Sequence, residues 1–234
     1  MIIIKEEYQK NNYLRANEGY SLRNKNIEYK TLVIHTTNGR ANSSIGAERN
    51  FLIMSKDVSA HYLVSKTGDT FQLLNPAEYV AWHTGKTFTP DTANPSAIGV
   101  EVHFSPLEGF WNGLMWEEIT RLARTYPGLN PQMHRSIAAP AGRKIDPSGV
   151  TDAGFAHWKK MRLTPYKIYT TTTRANIRKS ATRDSAVVTT LEAGTPVMSF
   201  DADIFFGETI NGVSRWRYAV GLGYIFEPLL KARS

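Results

Sequence analysis

The sequence has no cysteine among its 234 residues. That absence excludes disulfides, thiolate metal sites, iron–sulfur clusters and a cysteine nucleophile together. A transition metal, if bound, has only His, Asp and Glu to hold it, and there are six histidines to choose from. Long apolar runs are missing too. The longest extend over a few residues, far short of a bilayer span, so membrane insertion is not expected. Met1-Ile2-Ile3-Ile4 runs at once into Lys5-Glu6-Glu7. It is too short for the apolar core of a signal peptide and has no basic segment ahead of it. Synthesis in the cytosol without a signal peptide is the expectation. Nor is there a block of Lys and Arg. The net charge of +7 divides into +4 up to Leu163 and +3 beyond it. A diffuse basic surface suits a solvated face or an anionic partner, such as nucleic acid, a membrane surface or a cell wall. No recognised motif or basic–aromatic cluster points to nucleic acid.

What is present is ordinary globular composition, with 41% hydrophobic and 21% charged residues, enough to bury a core without staples. The texture changes near residue 164. Before it, strand-period and helix-period stretches alternate, as in an α/β domain. Thr31–His35, His61–Ser65 and Ala97–Phe104 read as buried strands, and Lys66-Thr67-Gly68-Asp69 as a hairpin turn into Thr70–Leu74. Trp116, Ile119, Leu122, Ala123 and Tyr126 fall at helical spacing, stopped by Pro127-Gly128. Ile45–Ser55 predicts a weaker helix capped by Ser43 or Ser44. Thr151–Met161 predicts a third, with Phe155 and Trp158 on one side. The first 30 residues are polar and carry no clear pattern. After residue 164, short Thr-, Val-, Ile- and Tyr-rich runs separated by Gly, Asp and Asn predict a small all-β module. The expected division is 1–163 and 164–234.

Three residues of the first part form a chemically suggestive set. His35 ends an apolar strand and runs into Thr36-Thr37-Asn38-Gly39, expected to be a polar loop. Taken alone, it is a hydrogen-bonded structural histidine or a ligand facing a cleft. His134 falls in an expected loop after a helix, where a solvated ring is the plain reading. Asp146 sits in Ile145-Asp146-Pro147, by itself a turn. Together, two imidazoles and one carboxylate suit Zn²⁺ with a fourth position open to water. Lys144, two residues before Asp146, shares its face if the segment is extended. It is a surface lysine or a stabiliser of an oxyanion. Glu101 interrupts an apolar strand. A buried carboxylate needs a partner or a task, and accepting a proton from the attacking water is one.

Five blocks in this order resemble the zinc-dependent N-acetylmuramoyl-L-alanine amidases, the superfamily that includes peptidoglycan recognition proteins and the T7 lysozyme type. They are Leu32-Val33-Ile34-His35, Ser59-Ala60-His61-Tyr62-Leu63-Val64, Ala81-Trp82-His83-Thr84-Gly85, Ser96-Ala97-Ile98-Gly99-Val100-Glu101, and His134-Arg135 through Gly142-Arg143-Lys144-Ile145-Asp146-Pro147. The resemblance covers residues 30 to 160. It implies a central mixed β-sheet flanked by helices. It implies His35, His134 and Asp146 as zinc ligands, Glu101 as general base or acid, Lys144 as oxyanion stabiliser, and His83 as a groove-wall residue that contacts substrate. His61 more plainly supports the fold, Trp82 is expected in the core, and His103 and His157 match no role. Some members carry a catalytic tyrosine where this chain has Ala60, with Tyr62 two residues on. Others carry cysteine where this chain has Asp146.

The second part resembles a bacterial SH3-like barrel through Asn176-Ile177-Arg178, Leu191–Val197, Trp216-Arg217-Tyr218 and Gly223-Tyr224-Ile225, with Phe200–Gly212 as an insertion. That implies a module for wall peptide or glycan, or a packing domain without ligand. The combination implies a phage endolysin acting on bacterial peptidoglycan, with anionic wall polymers as a second partner. It would accumulate in the host cytoplasm and reach the wall once the membrane is breached. A non-hydrolytic peptidoglycan-binding protein and a wall-recycling amidase are the alternatives.

Overall fold

The computed structural model describes residues 4–7, 18–37 and 43–233. Met1 to Ile3, and Asn38 and Gly39 of the loop expected after His35, lie outside the described residues. The chain divides into two compact units. One takes Met1–Gly109 and Arg121–Gly149, the other Phe110–Thr120 and Val150–Ser234.

The first unit is built on a six-stranded mixed sheet. Its strands are β1 (Ile4–Glu7), β3 (Thr31–Thr36), β4 (Tyr62–Val64), β5 (Thr70–Gln72), β7 (Ala97–Val102) and β8 (Asn130–Met133), and their spatial order is β1-β5-β4-β7-β3-β8. Strands β4, β7, β3 and β8 run parallel to one another, while β4 and β5 form an antiparallel hairpin. The Ser65–Asp69 turn closes that hairpin, with Gly68 at φ 80°. A parallel strand covered on both faces is built mainly of apolar residues. Accordingly every residue of β3 is buried. A separate pair, β2 (Tyr20–Leu22) with β6 (Tyr79–Ala81), is antiparallel. These two strands come from sequence without a strong period.

Helix α1 (Ile45–Met54) starts at Ser44, whose hydroxyl accepts the Ala47 N–H, a cap contributing about 1 kcal/mol. It lays Leu52 and Ile53 against Leu63, Phe71 and Leu73. Helix α2 (Gly113–Thr125) covers the stretch expected to be helical except Tyr126, which lies just past its end, and begins three residues before Trp116. Its first part is counted with the second unit. His134 is not in a loop, as its sequence surroundings suggested. It opens a one-turn helix, α3 (His134–Ile137), directly after β8. Asn130-Pro131 looks like a turn, but β8 is an edge strand, where a proline's missing N–H leaves no ladder bond unmade.

The second unit contains α4 (Asp152–Met161), capped by the Thr151 hydroxyl and burying Phe155 and Trp158. Two antiparallel sheets follow. The larger has the order β11 (Val187–Leu191), β10 (Ala175–Arg178), β15 (Gly223–Phe226), β14 (Val213–Ala219), β13 (Ile204–Ile210). The smaller is β12 (Pro196–Phe200), β9 (Tyr166–Thr171), β16 (Leu230–Ala232). Their core gathers Ala175, Ile177, Val197, Ala219 and Ile225. The β13–β14 hairpin turns at Asn211-Gly212, both at positive φ (50° and 79°), as a two-residue turn of this hand requires. Among the described residues no helix is long and apolar enough to cross a membrane.

Candidate active site

Sheet register assembles the site. In the β3–β7 pair His35 lies opposite Glu101, and in the β3–β8 pair Ile34 lies opposite Met133, the residue before His134. Three adjacent parallel strands therefore deliver His35, Glu101 and His134 to one carboxyl-terminal edge, where open α/β sheets form their crevices. Asp146 arrives from the segment after α3, whose backbone carbonyl accepts the Arg135 N–H at 2.7 Å. His35, His134 and Asp146 are all buried, at 2%, 2% and 6% exposure.

The ligand atoms converge. Asp146 Oδ2 lies 3.1 Å from His35 Nδ1 and 2.9 Å from His134 Nδ1. One atom from each residue falls within 4.8 Å of the others, a group that could hold a metal ion. The far side of each ring decides how well a cation fits. His134 Nε2 faces the Thr84 carbonyl oxygen at 3.1 Å. A carbonyl only accepts, so the ring proton sits on Nε2 and a neutral ring has a lone pair on Nδ1. That lone pair points at a carboxylate oxygen. Two acceptors 2.9 Å apart need a proton or a metal ion between them, and the N, N, O donor set suits a divalent metal.

Burial pushes His35 down to about 4, against the opposing pull of the Asp146 carboxylate beside it. The ring is thus neutral near pH 7, the form that ligates metal. Burial alone would raise Asp146, but the His134 and His35 rings set against it overcome that and hold the carboxyl well below the usual range. Glu101 is pushed up to about 8, first by burial and then by Asp146. Its Oε1 lies 3.9 Å from His35 Nδ1, and its buried Oε2 has no hydrogen-bond partner among the described residues.

A cavity of about 210 Å³ opens over these groups. Glu101, Lys144, His83 and Asp146 line it, with Phe51 and Val58 as an apolar wall. Lys144 and Asp146 share this cavity, while Ile145 between them is 74% exposed. A neighbouring groove of about 310 Å³ is lined by Trp82, His83, Asn94, Arg143 and Lys144 among others. Trp82, expected in the core, is half-buried along this groove. Tyr62 is remote from the metal-type cluster in its bonding, its hydroxyl meeting that of Tyr126 at 2.6 Å. His61 is fully buried and accepts the Gly99 N–H on Nδ1 at 3.0 Å. His103 bonds Ser43.

Sequence reasoning missed Asn94 and Thr84. Asn94 Oδ1 accepts from the backbone N–H groups of His83 (2.9 Å) and Thr84 (2.8 Å) and from the Thr84 hydroxyl (2.9 Å). Asn94-Pro95 announces only a turn, and a backbone carbonyl such as that of Thr84 leaves no mark in side-chain pattern.

A family model described as N-acetylmuramoyl-L-alanine amidase matches residues 24–149, more than half of the chain. No curated protein matches the sequence at a significant level. Among solved structures, a selenomethionine derivative of AmpD is similar at a TM-score of 0.51 and 22% identity, over 68% of this chain and 95% of that one. The Ph2119 endolysin from Thermus scotoductus MAT2119 bacteriophage Ph2119 gives 0.48 and 18%, over 66% and 98%. A mutant endolysin from Bacillus subtilis gives 0.44 and 17%, over 69% and 97%. The first of these likenesses supports the fold. Matched over the segment that carries the buried His, His, Asp cluster, the chain belongs to the N-acetylmuramoyl-L-alanine amidase family and is an enzyme of that class.

Proposed function

We propose that the protein is a zinc-dependent peptidoglycan hydrolase of the endolysin type, cleaving the amide bond between N-acetylmuramic acid and L-alanine. The observation that carries this reading is the convergence of His35 Nδ1, His134 Nδ1 and Asp146 Oδ2 beneath an open cavity, with Glu101 in register beside them. Bound there, zinc supplies Lewis acidity that activates a water and polarises the scissile carbonyl.

The chain's own groups do the rest. Glu101 acts in its carboxylate form, which burial and Asp146 make more basic than an ordinary glutamate; it takes the proton of the attacking water and returns it to the departing alanine nitrogen as the C–N bond breaks. Lys144 offers its ammonium to the carbonyl oxygen as negative charge develops. His83 lines both cavity and groove and borders bound substrate. The Phe51 and Val58 wall faces the substrate's apolar groups.

Residues 1–163 are proposed as the catalytic domain and 164–234 as an SH3-like module that holds cell-wall peptidoglycan, with anionic wall polymers as a further partner. Two small antiparallel sheets around one apolar core and the +7 charge support this. Wall binding should weaken with salt. The site of action is the wall, reached from the host cytoplasm after membrane breach.

The test is mass spectrometry of peptidoglycan digested by the purified chain. Free L-alanine amino termini, lost on chelation and restored by zinc, are expected. New reducing sugar ends would overturn the amide assignment. No cleavage by metal-loaded protein would leave a non-hydrolytic binder.

A further inference from the structure

Both imidazoles of the metal-type cluster are oriented from behind by two consecutive residues. His35 Nε2 lies 3.0 Å from His83 Nδ1, and His134 Nε2 lies 3.1 Å from the Thr84 carbonyl oxygen. His83 Nε2 in turn faces the Ala97 carbonyl oxygen at 3.4 Å. Proton bookkeeping runs one way through this chain. The Ala97 oxygen accepts, so His83 carries its proton on Nε2 and presents a lone pair on Nδ1. His35 must then carry its proton on Nε2, leaving its own Nδ1 lone pair for Asp146's side of the site. His134 is set the same way by Thr84.

Two features hold this strap still. Asn94 Oδ1 gathers three donors from His83 and Thr84. The His83 ring lies directly on Gly99, where an added Cβ would fall 2.5 Å from His83 Cγ. Any larger residue at 99 would displace the ring. Both ring nitrogens of His83 are engaged by the protein.

We propose that His83 and Thr84, pinned by Asn94, form a strap that fixes both ligand histidines as Nε2–H tautomers and so prepares their Nδ1 atoms for the metal. His83 and Asn94 are thus positioning residues that act through His35 and His134. The inference rests on the metal reading above, yet part of its test does not depend on zinc.

The experiment uses the full chain. Nitrogen-15 ring shifts of His35 and His134 are recorded in the metal-free protein at alkaline pH, where both should show protonated Nε2 and bare Nδ1. Protonated Nδ1 on either ring would overturn the inference, whether or not zinc binds. Zinc affinity is then measured by chelator competition. His83→Leu, which removes the acceptor, should weaken binding about 10- to 100-fold and shift the His35 spectrum toward a tautomer mixture. His83→Gln, whose amide oxygen accepts the same proton, should recover most of the affinity. Asn94→Leu should weaken zinc binding as His83→Leu does, while Asn94→Asp, which keeps an accepting oxygen, should retain it. Wild-type affinity in both Leu variants, with amide cleavage by the wild type intact, would sink the strap and leave the proposed function standing. The wild-type spectrum needs no substitution, so a variant that fails to fold does not shelter the inference.

Discussion

The two compact units bury ionisable groups to opposite ends. In the second unit the buried Asp203 and Arg217 each have a structural partner, though Arg217 Nη1 is buried without one among the described residues. Asp203 meets His157 at 2.8 Å, and Arg217 lies on the Tyr169 ring at 4.8 Å while its Nε donates to Glu227 at 2.8 Å. In the first unit the buried groups compete. Two ring nitrogens share one carboxylate oxygen, and Glu101 keeps an unpartnered oxygen. A buried charge with a dedicated partner holds a fold together. Several acceptors converging on one point lack a cation, and that surplus is what marks a site.

The comparison breaks most sharply at Asp146. Asp146→Ala should lose zinc and hydrolysis together, with the rate down about 10³-fold or more as several kcal/mol of charge stabilisation go. Metal content and peptidoglycan release check it, and an active, zinc-loaded variant would remove the ligand assignment. Glu101→Gln should keep the metal and lower the rate about 10²- to 10⁴-fold. Lys144→Ala should also keep the metal and lose about 10²- to 10³-fold. Loss of zinc on replacing Lys144 would make it a structural support of the site instead.

Smaller effects sharpen the contrast in stability. Burial holds His61 down at about 4, below its ordinary 6.5. Its folded state prefers the neutral ring, so its contribution is complete above pH 6.5 and is lost as pH falls towards 4. The loss amounts to on the order of 3 kcal/mol. Denaturant unfolding of the metal-free chain at pH 7 and pH 4 should show it, and His61→Gln should remove that component. In the second unit, Glu227→Gln strips the carboxylate from Arg215 and Arg217. It should cost about 1–3 kcal/mol with hydrolysis of soluble fragments unchanged. A loss of catalysis there would erase the distinction between the units.

Much of the scaffold was legible. Thr31–His35 and Ala97–Val102 were readable because strands covered on both faces are mainly apolar, with His35 and Glu101 as exceptions. The helix at Ile45 was readable from a hydroxyl cap, and that at Thr151–Met161 from Phe155 and Trp158 on one side. Strands β2, β6 and β8 were not. Each is only three or four residues long, too short to show a period, and is a strand only because a partner strand supplies its ladder.

The primary structure alone determined the inventory of chemistry. Without cysteine, a metal had to fall to histidine and carboxylate, and local periodicity placed His35 and Glu101 on apolar strands. Only the tertiary structure decided that His35 and Asp146, 111 positions apart, share one point, and which nitrogen of each ring faces it. Periodicity is set by neighbours a few residues away. Register, tautomer and the Asn94 anchor are set by contacts between distant segments, which exist only once the sheet has formed.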